Sequence, residues 1–121
     1  LAQLKSRGIR HDTNVMNKYC QVQINAPTKK EAGKILDYLL EKKLIAGGNI
    51  THSLARYWWK GKIDMHDYYS IVAFSLTKNK NKIIYAVRPL HSDECPSIVF
   101  WKIDANKDFL GWIRQNCEEK I

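Results

Sequence analysis

Residues 49–76 read NITHSLARYWWKGKIDMHDYYSIVAFSL. β-branched and aromatic residues fill both ends of this stretch, and Lys60-Gly61-Lys62 interrupts them. Such side chains suit a pleated, half-buried surface. Glycine supplies the positive φ that a tight hairpin turn requires. The stretch therefore predicts a β-hairpin, with an outgoing strand over Asn49–Trp59 and a return strand over Tyr68–Leu76. At about 3.3 Å per residue, two ten-residue strands reach beyond ~30 Å. That is long for a chain of 121 residues, so part of the ribbon should overhang its own sheet. An unpaired apolar edge invites a further strand. Trp58 and Trp59 point to opposite faces of a strand, so they cannot both enter the core of one subunit. One is expected to pack inward and the other to meet a neighbouring chain.

The flanking sequence supplies the rest of a fold. Tyr19–Ala26 (YCQVQINA) alternates apolar and polar residues, the period of a half-buried strand, and Pro27 ends it. Thr28 and Glu31 form a capping-box pattern, in which Glu31 would reach back to the first amide. Ala32, Ile35, Leu36, Leu39 and Leu40 then recur at helical spacing, predicting a helix to about Lys43. Gly47-Gly48 predicts a sharp change of direction. Asn79–Arg88 places Ile83, Ile84 and Val87 on one helical face, and Pro89 should cut that helix short. Ser97–Ile103 predicts another strand, and Asn106 a cap for a last helix carrying Phe109, Leu110 and Ile113 inward. The order β-α-β-β-α-β-α is an α+β arrangement. Its first six elements are the ferredoxin-like split βαβ, an antiparallel sheet with helices on one face, and a C-terminal helix is added. Residues 1–18 are expected to be a basic, disordered tail, and 19–121 a single domain.

Composition narrows the function. Residues are 45% hydrophobic and 26% charged, an ordinary globular balance. No apolar run approaches the ~18 residues of a membrane span, and the first 18 residues lack the apolar stretch of a signal peptide. Cys20, Cys95 and Cys117 make an odd count with no CxxC spacing, which predicts a reducing, cytoplasmic compartment. The net charge of +8 raises the question of nucleic acid. Its lysines are scattered as Lys29-Lys30, Lys42-Lys43, Lys60/Lys62 and Lys78/Lys80/Lys82, mostly at predicted helix ends and turns. They read as solvated positions, and nucleic acid is not an expected partner. Tyr19, Phe74, Phe100 and Trp101 could form an aromatic sheet face of the RNA-recognition kind, but no basic-aromatic strand accompanies them. No Walker loop, G-x-G-x-x-G or H-E-x-x-H is present, so no catalytic role is expected.

One short segment carries metal-ligand chemistry. His91, Asp93, Glu94 and Cys95 place an imidazole, two carboxylates and a thiol within five residues. His91, Glu94 and Cys95 are candidate ligands for Cu²⁺ or Zn²⁺. His52 and His66 lie on opposite arms of the hairpin, several residues out of register, and are not expected to share a metal.

At this point the chain resembles the CutA family of divalent-cation tolerance proteins. Asn49-Ile50 followed by Tyr57-Trp58-Trp59-Lys60-Gly61-Lys62 is similar to the family's N-I … Y-x-W-x-G-K. His91 followed by Pro96 resembles H-P-Y-x-x-P-E, and Asp104–Ile113 resembles D-G-N-x-x-Y-L-x-W-I. The likeness runs from about Tyr19 to Asn116. It implies a ferredoxin-like subunit in a tight homotrimer, with neighbours extending one another's sheets, and a link to divalent metals, copper above all. Trp58, Trp59 and Trp101 are then the expected trimer-interface residues. The implied trimer resembles that of the PII signalling proteins, whose clefts between subunits bind small effectors. Tyr57, Trp59, Lys62 and His91, with Lys60 at the rim, are the expected cleft residues here, and the lysines suggest an anionic small molecule. The family's cysteine and histidine ligands do not carry over. Their positions hold Ile24, Gly47, Ala86 and Leu90, and none of these ligates through a side chain. Ser92-Asp93, Ser97 and Phe74 are further departures in the same region. Direct copper or zinc binding stays open as an alternative function.

Overall fold

A computed structural model describes residues 18–117. The tail expected at 1–18 lies outside the described residues except for Lys18. The elements follow the predicted order: β1 (Tyr19–Ala26), α1 (Lys29–Glu41), β2 (Gly47–Trp59), β3 (Lys62–Leu76), α2 (Lys80–Val87), β4 (Ser97–Lys102) and α3 (Lys107–Cys117). The four strands form one antiparallel sheet in the order β2-β3-β1-β4. Among the described residues, no helix is long and apolar enough to cross a membrane.

Strand alternation separates two apolar clusters. Val22, Ile24, Ala26, Ile71 and Ala73 point to one face and pack under Ala32, Ile35 and Leu39 of α1 and Ile83 and Val87 of α2. Residues of the opposite parity, Tyr19, Phe74 and Leu76, meet Leu110, Ile113 and Cys117 of α3. The first two helices thus cover one face of the sheet and α3 covers one end of the other. Both clusters bury side chains that the water-exposed chain would leave wet, at roughly 25 cal/mol per Å² of apolar surface removed.

Helix ends follow local chemistry with one exception. Thr28 accepts the Glu31 N–H at 3.1 Å, as a capping residue should. Glu31 does not complete the box by reaching back; its carboxylate turns to the loop after α2 and accepts the Ser92 N–H at 3.0 Å. At the other end Lys43 takes φ 57, and Lys43 and Leu44 donate to Leu40 and Leu39 carbonyls, the Schellman pattern with lysine where glycine is usual.

The hairpin differs from expectation at both ends. Gly47 and Gly48 do not turn the chain but open β2, paired with Phe74 and Ala73. Their missing side chains serve close packing. A Cβ on Gly47 would lie 2.7 Å from the Trp112 ring, and one on Gly48 would lie 2.8 Å from the Val72 carbonyl oxygen. β3 begins at Lys62, directly after the turn, well before the predicted Tyr68. The turn is the two-residue Lys60-Gly61, with φ 50 and 81, the type I′ geometry whose twist matches a hairpin. β1 pairs with β3 only from Tyr69 to Leu76. The ladder from Ser53↔Tyr68 to Trp59↔Lys62 therefore continues past the sheet as a two-stranded arm, on the order of 20 Å long.

Gly48→Ala should cost about 1–3 kcal/mol, because the added methyl meets backbone that cannot move aside. Gly47→Ala should cost less, since Trp112 can shift, and should cost less still beside Trp112→Leu. Urea denaturation of the parent, Gly48→Ala, Gly47→Ala, Trp112→Leu and Gly47→Ala/Trp112→Leu checks the order.

Cys20 and Cys117 are buried. Burial first, and then the neighbouring Cys117, push the Cys20 thiol up from 9.0 to about 11. An unfolded thiol gives up its proton near pH 9, whereas folded Cys20 holds it until about 11. The unfolded state therefore binds fewer protons in that window, and stability should fall as pH rises from 9 towards 11. Cys20→Ala should flatten that part of a stability–pH curve measured by chemical denaturation.

Candidate functional site

The arm does not stand away from the domain. It curves over the loop between α2 and β4 and encloses an open cleft of about 810 Å³. Tyr57, Trp58, Trp59, Asp64 and Tyr68 line it from the arm, and Ser92 through Cys95 from the loop. Asn25 at the end of β1, and Ser97, close its floor.

Two polar contacts join the walls. The Tyr68 hydroxyl donates to Asp93 Oδ2 at 2.8 Å. Burial raises the Tyr68 phenol far above its ordinary range, and the hydrogen bonds with Tyr57 and Asp93 add to the rise. The phenol is therefore a permanent donor to Asp93. At the rim, Lys60 Nζ lies 3.7 Å from Glu94 Oε2 and 5.6 Å from the centre of the Trp59 ring. Both Lys60 and Glu94 are well exposed, so that ion pair contributes little. Tyr57 meets Tyr68 edge to face at 5.9 Å, one of the favoured geometries for aromatic pairs.

His91 stands behind the loop. Its side chain is fully buried. Nε2 lies 2.7 Å from the Asn25 carbonyl, and Nδ1 accepts the Asp93 N–H at 3.1 Å. This pattern assigns the proton to Nε2, which donates to Asn25. Glu31 Oε2 lies 3.5 Å from Nδ1. His91 thus ties the loop to the end of β1 and the start of α1, and both ring nitrogens are occupied.

The predicted site residues therefore separate. Tyr57 and Trp59 line the cleft; Lys62 and His91 do not. Of the candidate metal ligands, Glu94 and Cys95 face the cleft, while His91 is committed to backbone partners behind it. Among the described residues, no group of three His, Cys, Asp or Glu side chains is placed to hold a metal ion. His52 sits opposite Tyr69 and His66 opposite Ala55, so the two histidines are out of register as expected; His52 instead meets Asp67 at 3.1 Å and stacks on Tyr69. Asp64, Tyr68, Arg56 and Asn25 are cleft residues that sequence reasoning missed, whereas Asp93 belongs to the loop group it singled out. Counting outward from a two-residue Lys60-Gly61 turn would have found two of them, since it pairs Tyr57 with Asp64 and Ser53 with Tyr68.

The faces of the arm also differ. Trp58, Leu54, Ile63 and Met65 share the face that continues the helix-covered side of the sheet, and are 72, 70, 60 and 70% exposed. Trp59 lies on the other face at 37%. Neither indole enters the core of the single chain. Trp101, on β4, is also exposed, on the face away from α1 and α2.

Comparison with known proteins places this architecture. The family model described as CutA1 divalent ion tolerance protein matches residues 20–116, nearly all of the described chain. The chain belongs to the CutA1 family. The divalent-cation tolerance protein CutA of Archaeoglobus fulgidus is 33% identical over 98 residues, covering 80% of this chain and 96% of that protein. The CutA of Thermotoga maritima is 34% identical over 92 residues, covering 74% and 90%. The solved structure of the A. fulgidus protein, described as periplasmic, superposes with a TM-score of 0.81 at 32% identity, covering 83% of this chain and 99% of that one. CutA1 from Oryza sativa superposes equally well, TM-score 0.81 at 20% identity, and at that identity shows the shared fold. The thiolate and imidazole positions expected from CutA resemblance are Ile24, Ala86, Leu90 and Gly47 in this member, with the Trp112 ring against Gly47. The residues present do not fit a thiolate–imidazole copper site of that kind.

His91→Ala should cost about 2–4 kcal/mol, because it removes a fully buried side chain and takes a hydrogen-bond partner from each of two half-buried groups, the Asn25 carbonyl and the Asp93 N–H. His91→Asn should recover part of the loss, as its amide can satisfy one of the two. Thermal unfolding of both variants checks this.

Proposed function

We propose that this CutA1 member acts in divalent-cation tolerance as a homotrimeric binding module of the PII kind rather than as an enzyme. On this reading the arm of each subunit completes the cleft of its neighbour. The observation that carries it is the arm itself: a ladder that leaves its own sheet, with four large apolar side chains exposed on one face. A monomer has no use for such a surface, and a second copy of the chain offers both a sheet edge and an apolar face to cover it. Trp58 is the central residue of that contact, with Trp59 and Trp101 on the opposite face of the sheet.

The cleft charge bears on the ligand. Asp64, Asp93 and Glu94 line it against Arg56, and the lysines that suggested an anionic effector lie at the rim or outside. A small ligand carrying a positive charge suits this lining better than an organic acid or a nucleotide. Aromatic faces at Tyr57 and Trp59 add cation–π attraction for such a group. That no three-ligand cluster occurs among the described residues favours an organic cation over direct chelation of copper or zinc. Three free thiols, one of them exposed, support a reducing, cytoplasmic location.

Light scattering should give three chain masses for the protein and a smaller species for Trp58→Glu/Met65→Glu. A monomeric parent protein would sink the reading. Isothermal titration against amines, organic acids and nucleotides should find the binder among the amines, weakened about tenfold or more by Asp64→Asn. Binding of a nucleotide that survives Asp64→Asn would reverse the charge assignment while leaving the trimer intact.

A further inference from the structure

The lysines that look scattered in the sequence are gathered by the fold. α1 ends, α2 begins, β1 begins and β4 ends at the same end of the domain, opposite the tip of the arm. The Leu44 carbonyl, just past α1, accepts from Ser75 and from Asn79 at the start of α2. Lys43 and Lys78 both act on the Cys117 thiol, which in turn acts on Cys20. Lys80 acts on Cys20 as well, and lies 5.6 Å from the centre of the Phe100 ring. Lys102 sits opposite Cys20 in the β1–β4 ladder, and Lys18 lies over Tyr19 at 6.0 Å. Lys42 is next to Lys43. Lys43, Lys78, Lys80 and Lys102 thus lie around one pair of buried thiols, with Lys18 over Tyr19 at the start of β1 and Lys42 over Tyr38 at the end of α1.

Among the described residues, Lys42, Lys43, Lys78, Lys80 and Lys102 form no ion pair. Glu41 and Asp104 are the acids nearest in sequence to this set. The carboxylates Asp64, Asp93 and Glu94 are gathered at the cleft instead. Residues 1–17, which precede Lys18, add Lys5, Arg7 and Arg10 against Asp12, and residues 118–121 add Glu118 and Glu119 against Lys120. The charge asymmetry of the described residues is therefore a property of the fold.

We propose that this lysine-rich end is a docking surface for a nucleic-acid backbone, read without sequence specificity. Unneutralised lysines held on a rigid base release counterions when they meet a run of phosphates, which is the main source of such affinity. An anionic membrane is the other polyanion available. Stable membrane docking calls for an apolar wedge beside the charges; the four-residue exposed apolar stripe is on the arm, at the opposite end, while Leu40 and Trp101, exposed nearer the lysines, sit on separate elements. The exposed Asn81, between Lys80 and Lys82, adds an amide able to bond phosphate or sugar. The inference is separate from the cleft reading and uses none of its residues.

The test is fluorescence anisotropy of the full chain with a labelled single-stranded oligonucleotide of about 20 nucleotides across a salt series. Binding at ~50 mM salt should weaken steeply with salt, with a slope of about −0.7 per phosphate contacted. Lys42→Glu/Lys78→Glu/Lys102→Glu should raise Kd at least about tenfold and flatten the slope by about two units. Lys29→Glu/Lys30→Glu/Lys62→Glu, equal in charge and placed elsewhere, should change Kd by less than about twofold. Circular dichroism melting confirms that each variant is folded. The proposal is overturned by no binding at low salt, by equal losses in both variants, or by loss only in Lys5→Glu/Arg7→Glu/Arg10→Glu. It is equally overturned if phosphatidylserine vesicles bind and the oligonucleotide does not.

Discussion

The β2–β3 hydrogen-bond ladder is the constraint on which the rest of the structure depends. It runs without interruption from Gly47↔Phe74 to Trp59↔Lys62, although β1 supports it only up to Tyr69. One two-residue turn sets the register of every pair. A slip by one residue would move Trp58, Leu54, Ile63 and Met65 to the other face and carry Tyr57 and Tyr68 away from the loop. The position of the apolar stripe and the walls of the cleft are thus both fixed by the positive φ angles at Lys60 and Gly61.

The cleft needs its second wall to be equally fixed, and this comes from polar rather than apolar contacts. Loop 91–97 has little core of its own. His91, Glu31 and the Asn25 carbonyl hold its start, and the Tyr68 hydroxyl holds Asp93. The family histidine therefore acts here as a positioning residue for the cleft wall. Its burial explains why it is unsuited to the ligand role that its residue type suggests.

Much of this architecture was legible in the sequence. The alternation in Tyr19–Ala26 and the helical spacing of Ala32, Ile35 and Leu39 give β1 and α1 directly, because in both cases one face is buried and the other wet. The turn was legible from Gly61. What stayed hidden depends on long-range geometry. Ile63–Asp67 lacks a strand pattern because that part of β3 has no core beneath it, so periodicity had nothing to report. Gly47-Gly48 looked like a bend because close approach and chain reversal call for the same residue. The lysines looked dispersed because sequence order separates elements that the sheet brings to one end.

The contact between Gly47 and Trp112 has a consequence for how these two positions can vary. The indole occupies the space that any larger residue at 47 would need. A larger side chain at 47 requires the indole to shift, and losing the indole removes the ring that stacks on Phe109. Substitutions at 47 and 112 are therefore coupled: a single contact between a glycine and a ring makes the tolerance of one position depend on the residue at the other.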